Sequence, residues 1–113
     1  MKAFVIQNRQ ATIQIQLSAI YYIQSHPTKA HHLEVVTKEG AYDMVGTLAA
    51  IEKKYSDEFV RCHRNCLVNL SQIREIRRTE KVLVLGEQGQ HQVALSRRRY
   101  RIVLQKYLEE RGE

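Results

Sequence analysis

The sequence predicts a mostly β fold, with one short helix in the middle of the chain and a second helix at its end. Three observations predict it. Apolar and polar residues alternate with period two over 11–17 and over 32–37, the signature of strands with one buried face. Further β-prone runs recur between turn-forming clusters such as Ser25-His26-Pro27-Thr28-Lys29 and Gly86-Glu87-Gln88-Gly89-Gln90. Helical periodicity is confined to 47–55 and 100–108. With 113 residues, 43% of them apolar, the chain has the size of one domain, expected over 1–113. It needs neither a disulfide nor a metal to build a core.

In chain order, residues 1–10 read as an N-terminal tail or a short strand. Ala11, Ile13, Ile15 and Leu17 form the buried face of a strand, against Thr12, Gln14 and Gln16. Ser18–Ile23 is a second β-prone run, stopped by the cluster around Pro27, which cannot donate to a ladder. Leu33, Val35 and Thr37 alternate with His32, Glu34 and Val36 in a third strand; Glu39-Gly40 signals a hairpin and Ala41–Val45 returns. Leu48, Ile51 and Tyr55 fall at i, i+3 and i+7, with Glu52, Lys53 and Lys54 opposite. A short helix is expected there, with Thr47 as its N-cap.

Phe59–Ile73 reads as two strand-like runs joined by a polar bend at His63-Arg64-Asn65. Phe59, Val60, Leu67, Val68, Leu70 and Ile73 are expected inside, and Ser71-Gln72-Ile73 as a turn of helix. Glu75–Arg78, Val82–Leu85 and His91–Leu95 bring the total to about eight short strands. Tyr100, Val103, Leu104, Tyr107 and Leu108 define the last helix, with Ser96 as its N-cap and Gly112 as its stop.

The formal charge of +6 and pI of about 9.6 favour an acidic partner: nucleic acid, anionic lipid or an acidic protein. The excess is concentrated. From Arg61 to Arg101 there are ten Lys and Arg against three acids. Arg97-Arg98-Arg99 would occupy the first turn of the last helix if Ser96 caps it. The helix dipole disfavours each exposed cation there by about 0.3–1 kcal/mol. A phosphate docked at that helix start reverses the balance.

Two cysteines are too few for a disulfide framework and fit a reducing compartment. In one extended strand the Cα atoms of Cys62 and Cys66 would stand roughly 13 Å apart, too far to bridge. The start of the chain is too quickly polar for a leader, and no run approaches the roughly 18 apolar residues of a membrane span. A soluble, cytoplasmic protein without membrane insertion is expected.

Cys62, His63 and Cys66, joined by His26, His31, His32 or His91, are the candidates for a metal site. The spacing C-H-x-x-C is not that of structural zinc sites, and along an alternating strand Cys62 points away from His63. Buried cysteines packing as small hydrophobes are the expectation, with no metal and no cofactor. The chain carries no phosphate-cradling glycine loop and no nucleophile elbow, and Asp43, Asp57 and Glu58 read as solvated surface acids. No enzyme is expected.

Five ordered stretches are similar to one family. Ala19-Ile20-Tyr21-Tyr22-Ile23 looks like its D-I-x-Y-I strand, with Ala19 replacing the acid. Leu33–Thr37 with Glu39-Gly40 resembles its next hairpin, and Thr47–Glu52 its T-L-x-x-L-E helix. Phe59–Asn69 is close to its F-x-R-x-H-R-S-x-x-V-N hallmark, with Asn65 in place of Ser. Val93-Ala94-Leu95-Ser96-Arg97-Arg98 resembles its closing V-x-[LV]-S-R run. The chain thus resembles the LytTR DNA-binding domain, the output domain of many bacterial response regulators in two-component systems.

That resemblance implies an elongated β-β-β architecture with small flanking helices. Loops, rather than a recognition helix, enter successive grooves of paired direct repeats in promoter DNA and bend it. Carried over residue by residue, His31, Arg64 and Arg97 are base or backbone readers. Lys29, Arg61, His63, Asn65 and Arg98 follow as phosphate or accessory contacts. Most members carry an N-terminal phosphoacceptor receiver and none is seen here, so a stand-alone regulator or an excised output domain is expected. Partners implied are double-stranded DNA, a second copy bound as a homodimer or in tandem, and another regulator. The leading reading is a sequence-specific transcriptional regulator. The alternative is a protein-interaction module that modulates another regulator of this type. A single-stranded RNA binder would want exposed aromatic platforms, whereas the tyrosines lie mostly at apolar-periodic positions.

Overall fold

The computed structural model describes residues 2–112. Ten strands and two helices follow in the order β1 (Ala3–Gln7), β2 (Thr12–Gln16), β3 (Ile20–Ser25), β4 (His32–Thr37), β5 (Gly40–Val45), α1 (Leu48–Lys54), β6 (Phe59–His63), β7 (Cys66–Asn69), β8 (Ile73–Arg77), β9 (Val82–Leu85), β10 (His91–Ala94) and α2 (Tyr100–Glu110). The expected mostly β chain with a short central helix and a C-terminal helix is what forms. Residues 1–10 supply a strand, because Phe4 and Ile6 alternate inward and are fully buried. Its extents are 40 × 30 × 26 Å, moderately elongated.

The strands form three antiparallel sheets. β1 pairs with β2, β8–β10 form a meander in the order β10-β9-β8, and the centre is a five-stranded sheet in the order β5-β4-β3-β7-β6. Where β3, β7 and β6 run side by side, the central sheet is covered on both faces. Ile23, Phe59 and Leu67 look toward β1, β2 and α1, where Phe4, Tyr55 and Phe59 form an aromatic cluster with centroid separations of 5.1–6.3 Å. Val60, Cys62 and Val68 look the other way, against Leu83, Leu85, Val93 and Val103. This explains why β7 is buried at all four positions instead of alternating. All six apolar residues expected inside Phe59–Ile73 are buried.

Local chemistry sets the ends of the elements. The Thr47 hydroxyl accepts from the Ala50 N–H at 3.2 Å and caps α1, as its position predicts. Gly112 closes α2 with a φ of +77°, which glycine adopts without a Cβ penalty. Between β2 and β3 the chain makes a single 3-10 turn at Leu17–Ala19, and after β7 another at Leu70–Gln72. One buried side chain joins both. Asn69, 3% exposed, donates to the Leu17 and Ile20 carbonyls at 3.0 and 2.8 Å, and accepts from the Ser71 N–H and hydroxyl at 3.1 and 2.9 Å. The last residue of the F-x-R-x-H-R-S-x-x-V-N pattern is thus a structural fastener.

The start of α2 departs from expectation. The Ser96 side chain caps nothing, and Arg97–Arg99 form a 3-10 turn that precedes the α-helix proper. The Arg99 N–H bonds the Ser96 carbonyl at 3.0 Å, tightening the backbone before α-helical spacing begins at Tyr100. The arginine triplet therefore lies outside the first turn of α2, and the dipole penalty expected for it does not apply in that form.

Candidate nucleic-acid interface

Three segments converge on the β6–β7 hairpin. The first is the loop between β3 and β4. Its neck is closed by the His26 N–H on the His32 carbonyl at 3.0 Å. Inside it, His26 Nδ1 accepts from the backbone N–H groups of Thr28 and Lys29, at 3.1 and 3.0 Å. An acceptor Nδ1 leaves the proton on Nε2, which lies 3.2 Å from one Asp43 carboxylate oxygen; the Lys29 ammonium holds the other. That ammonium, by its hydrogen bond, keeps the Asp43 carboxyl below the usual carboxylate range. His31 stands at the end of the loop with a φ of +60°, its carbonyl bonded by the Gly46 N–H at 3.1 Å. Its ring is exposed and makes no hydrogen bond among the described residues.

The second segment is the bend itself. β6 carries one extra residue, since Arg61 pairs with Leu67 while His63 already pairs with Cys66. Such a bulge re-aims side chains at the end of a strand. Arg64 and Asn65 make the turn and are exposed; the Arg64 side chain has no partner among the described residues. Arg61 behaves differently. Its side chain is only 15% exposed, and its guanidinium donates to the Arg64 carbonyl at 2.9 Å while pairing with Glu52 of α1, also at 2.9 Å.

The third segment is the approach to α2. The Ser96 N–H donates to the Cys62 carbonyl at 2.9 Å, and the Ser25 N–H donates to the Asn65 carbonyl at 3.0 Å. The hairpin is therefore bonded on one side to the end of β3 and on the other to the residue before Arg97. Lys29, His31, Arg61 and Arg64 line one cavity of about 490 Å³. His63 and Asn65 line another of about 320 Å³ with Gln92 and Ala94 of β10. Arg97 and Arg98 line a third of about 470 Å³. The residues predicted from the sequence thus surround one hairpin but do not share one cleft.

The family of LytTr DNA-binding domains matches residues 10–108. The chain belongs to the LytTR family. Its fold is also that of the LytTr DNA-binding domain of a protein described as a methyl-accepting/DNA response regulator from Bacillus cereus. The two share 23% identity with a TM-score of 0.72, over 96% of this chain and 97% of that one. A comparison with curated proteins returned no match. The LytTR match spans every segment just described, and the chain is by family a DNA-binding domain.

Within this LytTR chain, three expectations change. Asp43, read as a solvated acid, is the anchor of the first loop, and Glu58 pairs with Lys2 at 2.7 Å. No local signal links Asp43 to a loop that precedes it by more than a dozen residues; the β4–β5 hairpin brings it there. Cys62 and Cys66 do not share a strand. They face each other across the hairpin, with the Cys62 thiol 3.7 Å from the Cys66 carbonyl. The hydrogen bond with Cys62, and burial, push the Cys66 thiol upward, so it stays protonated, and both cysteines are buried packing groups. Among the described residues no group of His, Cys, Asp and Glu is arranged to hold a metal ion, and no helix is long and apolar enough to cross a membrane.

Proposed function

We propose that this domain binds double-stranded promoter DNA in a sequence-specific manner and regulates transcription as a bacterial, cytoplasmic regulator of the two-component type. One observation carries the reading. Backbone hydrogen bonds from Ser25 and Ser96 gather the His31 loop, the Arg64 bend and the Arg97 turn around a single hairpin, with those three side chains exposed. Exposed arginine can pair bidentately with guanine O6 and N7, and histidine offers a ring nitrogen to a base edge or phosphate. The long dimension of 40 Å slightly exceeds one turn of B-DNA, about 34–36 Å, so one copy can reach successive grooves.

Selection of bound sequences from a random duplex pool tests this. Paired direct repeats are expected to be enriched, with binding that weakens steeply as salt rises. If no sequence is enriched and gel filtration instead shows a complex with another regulator, the interaction-module reading replaces this one.

Arg61 has a distinct part in this reading. It is a positioning residue, tying the Arg64 carbonyl to Glu52 on α1, and not a phosphate contact. Arg61→Met keeps the aliphatic stem and removes both bonds. Cognate binding is expected to weaken about 5–10-fold, in keeping with loss of a charged hydrogen bond worth about 1.5–3 kcal/mol that partly relaxes. The slope of log K against log salt should not change. A slope shallower by about 0.9 would make Arg61 a phosphate contact after all.

A further inference from the structure

The cations of the second half extend beyond the three segments at the hairpin. The cavity of about 470 Å³ that holds Arg97 and Arg98 is walled on its other side by Arg78 and Lys81, from the turn between β8 and β9, and by Arg101 and Tyr100 of α2. Lys81, Arg97, Arg98 and Arg101 are exposed and Arg78 is half-buried, and none of the five makes an ion pair among the described residues. The nearby acids Glu75 and Glu80 are taken by Arg77, at 2.8 and 3.3 Å. Arg78 is held in place by the face of Tyr100, its guanidinium carbon 5.1 Å from the ring centroid. The Lys81 carbonyl accepts from the Leu95 N–H at 2.8 Å, which fastens the turn to the run leading into Arg97.

Five like charges around one concavity, with no internal counter-charge, repel one another unless an anion occupies it. We infer that the β8–β9 turn is a further DNA contact. Arg78 and Lys81, with Arg101, would hold the sugar-phosphate backbone of the duplex just beyond the stretch reached by Arg97. The inference rests on the DNA-binding reading above and extends its footprint. Two features favour duplex phosphates over a small phosphorylated ligand. The cations are long side chains spread over two segments, four of the five exposed, which suits tracking a backbone, and the residues lining the cavity include no fully buried polar side chain and no glycine to enclose a single phosphate. The cavity is also continuous with the Arg97 segment.

The test uses the whole chain, the selected binding site and a series of duplexes trimmed from each end in turn. The variant is Arg78→Gln with Lys81→Asn; asparagine is chosen because Lys81 has a φ of +59°, a region it tolerates. On the longest duplex the variant's slope of log K against log salt is expected to be shallower by about 2, one contact contributing about 0.9. Trimming from one end should erase that difference while leaving the preferred site sequence unchanged. Lys81→Asn alone should give about half the change, which keeps the test usable if the double variant folds poorly. Equal slopes for variant and wild type on the long duplex overturn the inference. So does saturable binding of pyrophosphate to the free wild type with slopes unchanged, which would make this a small-anion site. Failure of the wild type to bind any duplex overturns the DNA-binding reading along with it.

Discussion

Asn69→Ala is expected to lower the melting temperature by about 10 °C, the largest stability effect of any polar substitution in the chain. The Asn69 amide is buried and makes four hydrogen bonds, to Leu17, Ile20 and twice to Ser71. Alanine leaves two carbonyls without these donors and the Ser71 N–H without its acceptor, beneath a buried surface. Each unsatisfied buried group costs about 1–3 kcal/mol, and partial rehydration at the edge of the 3-10 turns brings the sum to about 3 kcal/mol. At the entropy of unfolding of a domain this size that is roughly 10 °C. Asn69→Asp is a useful companion. It retains an acceptor for Ser71 but sets carboxylate oxygens against the Leu17 and Ile20 carbonyls, so it should be at least as unstable. Thermal unfolding followed by far-UV circular dichroism checks both. A shift under about 2 °C for the alanine variant would mean that apolar burial alone holds the β2–β3 connection.

Arg64→Ala is expected to weaken binding to the selected site by about 10–100-fold, equivalent to about 1–3 kcal/mol, while leaving non-cognate binding nearly intact. Arg64 is exposed and its side chain bonds to nothing among the described residues, so the fold should be unaffected; its carbonyl is engaged by Arg61. The informative comparison is Arg64→Lys, which keeps the charge and loses the planar fork. Competition titrations against cognate and scrambled duplexes separate two outcomes. If lysine restores binding, Arg64 neutralises a phosphate and carries no sequence information. If lysine fails on the cognate duplex alone, Arg64 reads a base. Of the three proposed readers, this residue is expected to have the largest effect, because the bend that carries it is fixed from two sides, by Arg61 on Arg64 and by Ser25 on Asn65. A preorganised side-chain origin reduces the entropy lost on binding.

Much of the fold could be read from the order of residues. Strands with one solvated face, such as His32–Thr37, announce themselves because side chains alternate across a pleat, a purely local consequence of backbone geometry. The helix at Leu48–Lys54 was legible from its period and from Thr47, whose hydroxyl needs only the N–H three residues on. The strand at Ala3–Gln7 was harder, because Val5 is apolar yet 43% exposed and blurs the alternation. Cys66–Asn69 hides its character for the opposite reason: both faces are covered, so no polar residue marks an outside.

For the candidate interface, the sequence alone determined which residue types stand at the three exposed segments: the histidine and lysine of the first loop, the arginine of the bend, and the arginines before the last helix. It also determined the surplus of positive charge over 61–101. What only the tertiary structure decided is how they are combined. Arg61 looks like one more cation until α1 places Glu52 beside it. Asp43 looks solvated until the β4–β5 hairpin carries it to Lys29 and His26. Cys62 and Cys66 look too distant until the turn at Arg64 and Asn65 sets them on neighbouring strands. The convergence of the His31, Arg64 and Arg97 segments depends on β3 lying between β4 and β7, and on hydrogen bonds from Ser25 and Ser96 to residues far along the chain. The physical reason is the same in each case. Periodicity and capping are settled within a few residues by backbone geometry, whereas the choice of partner across a sheet is settled by the packing of the whole chain.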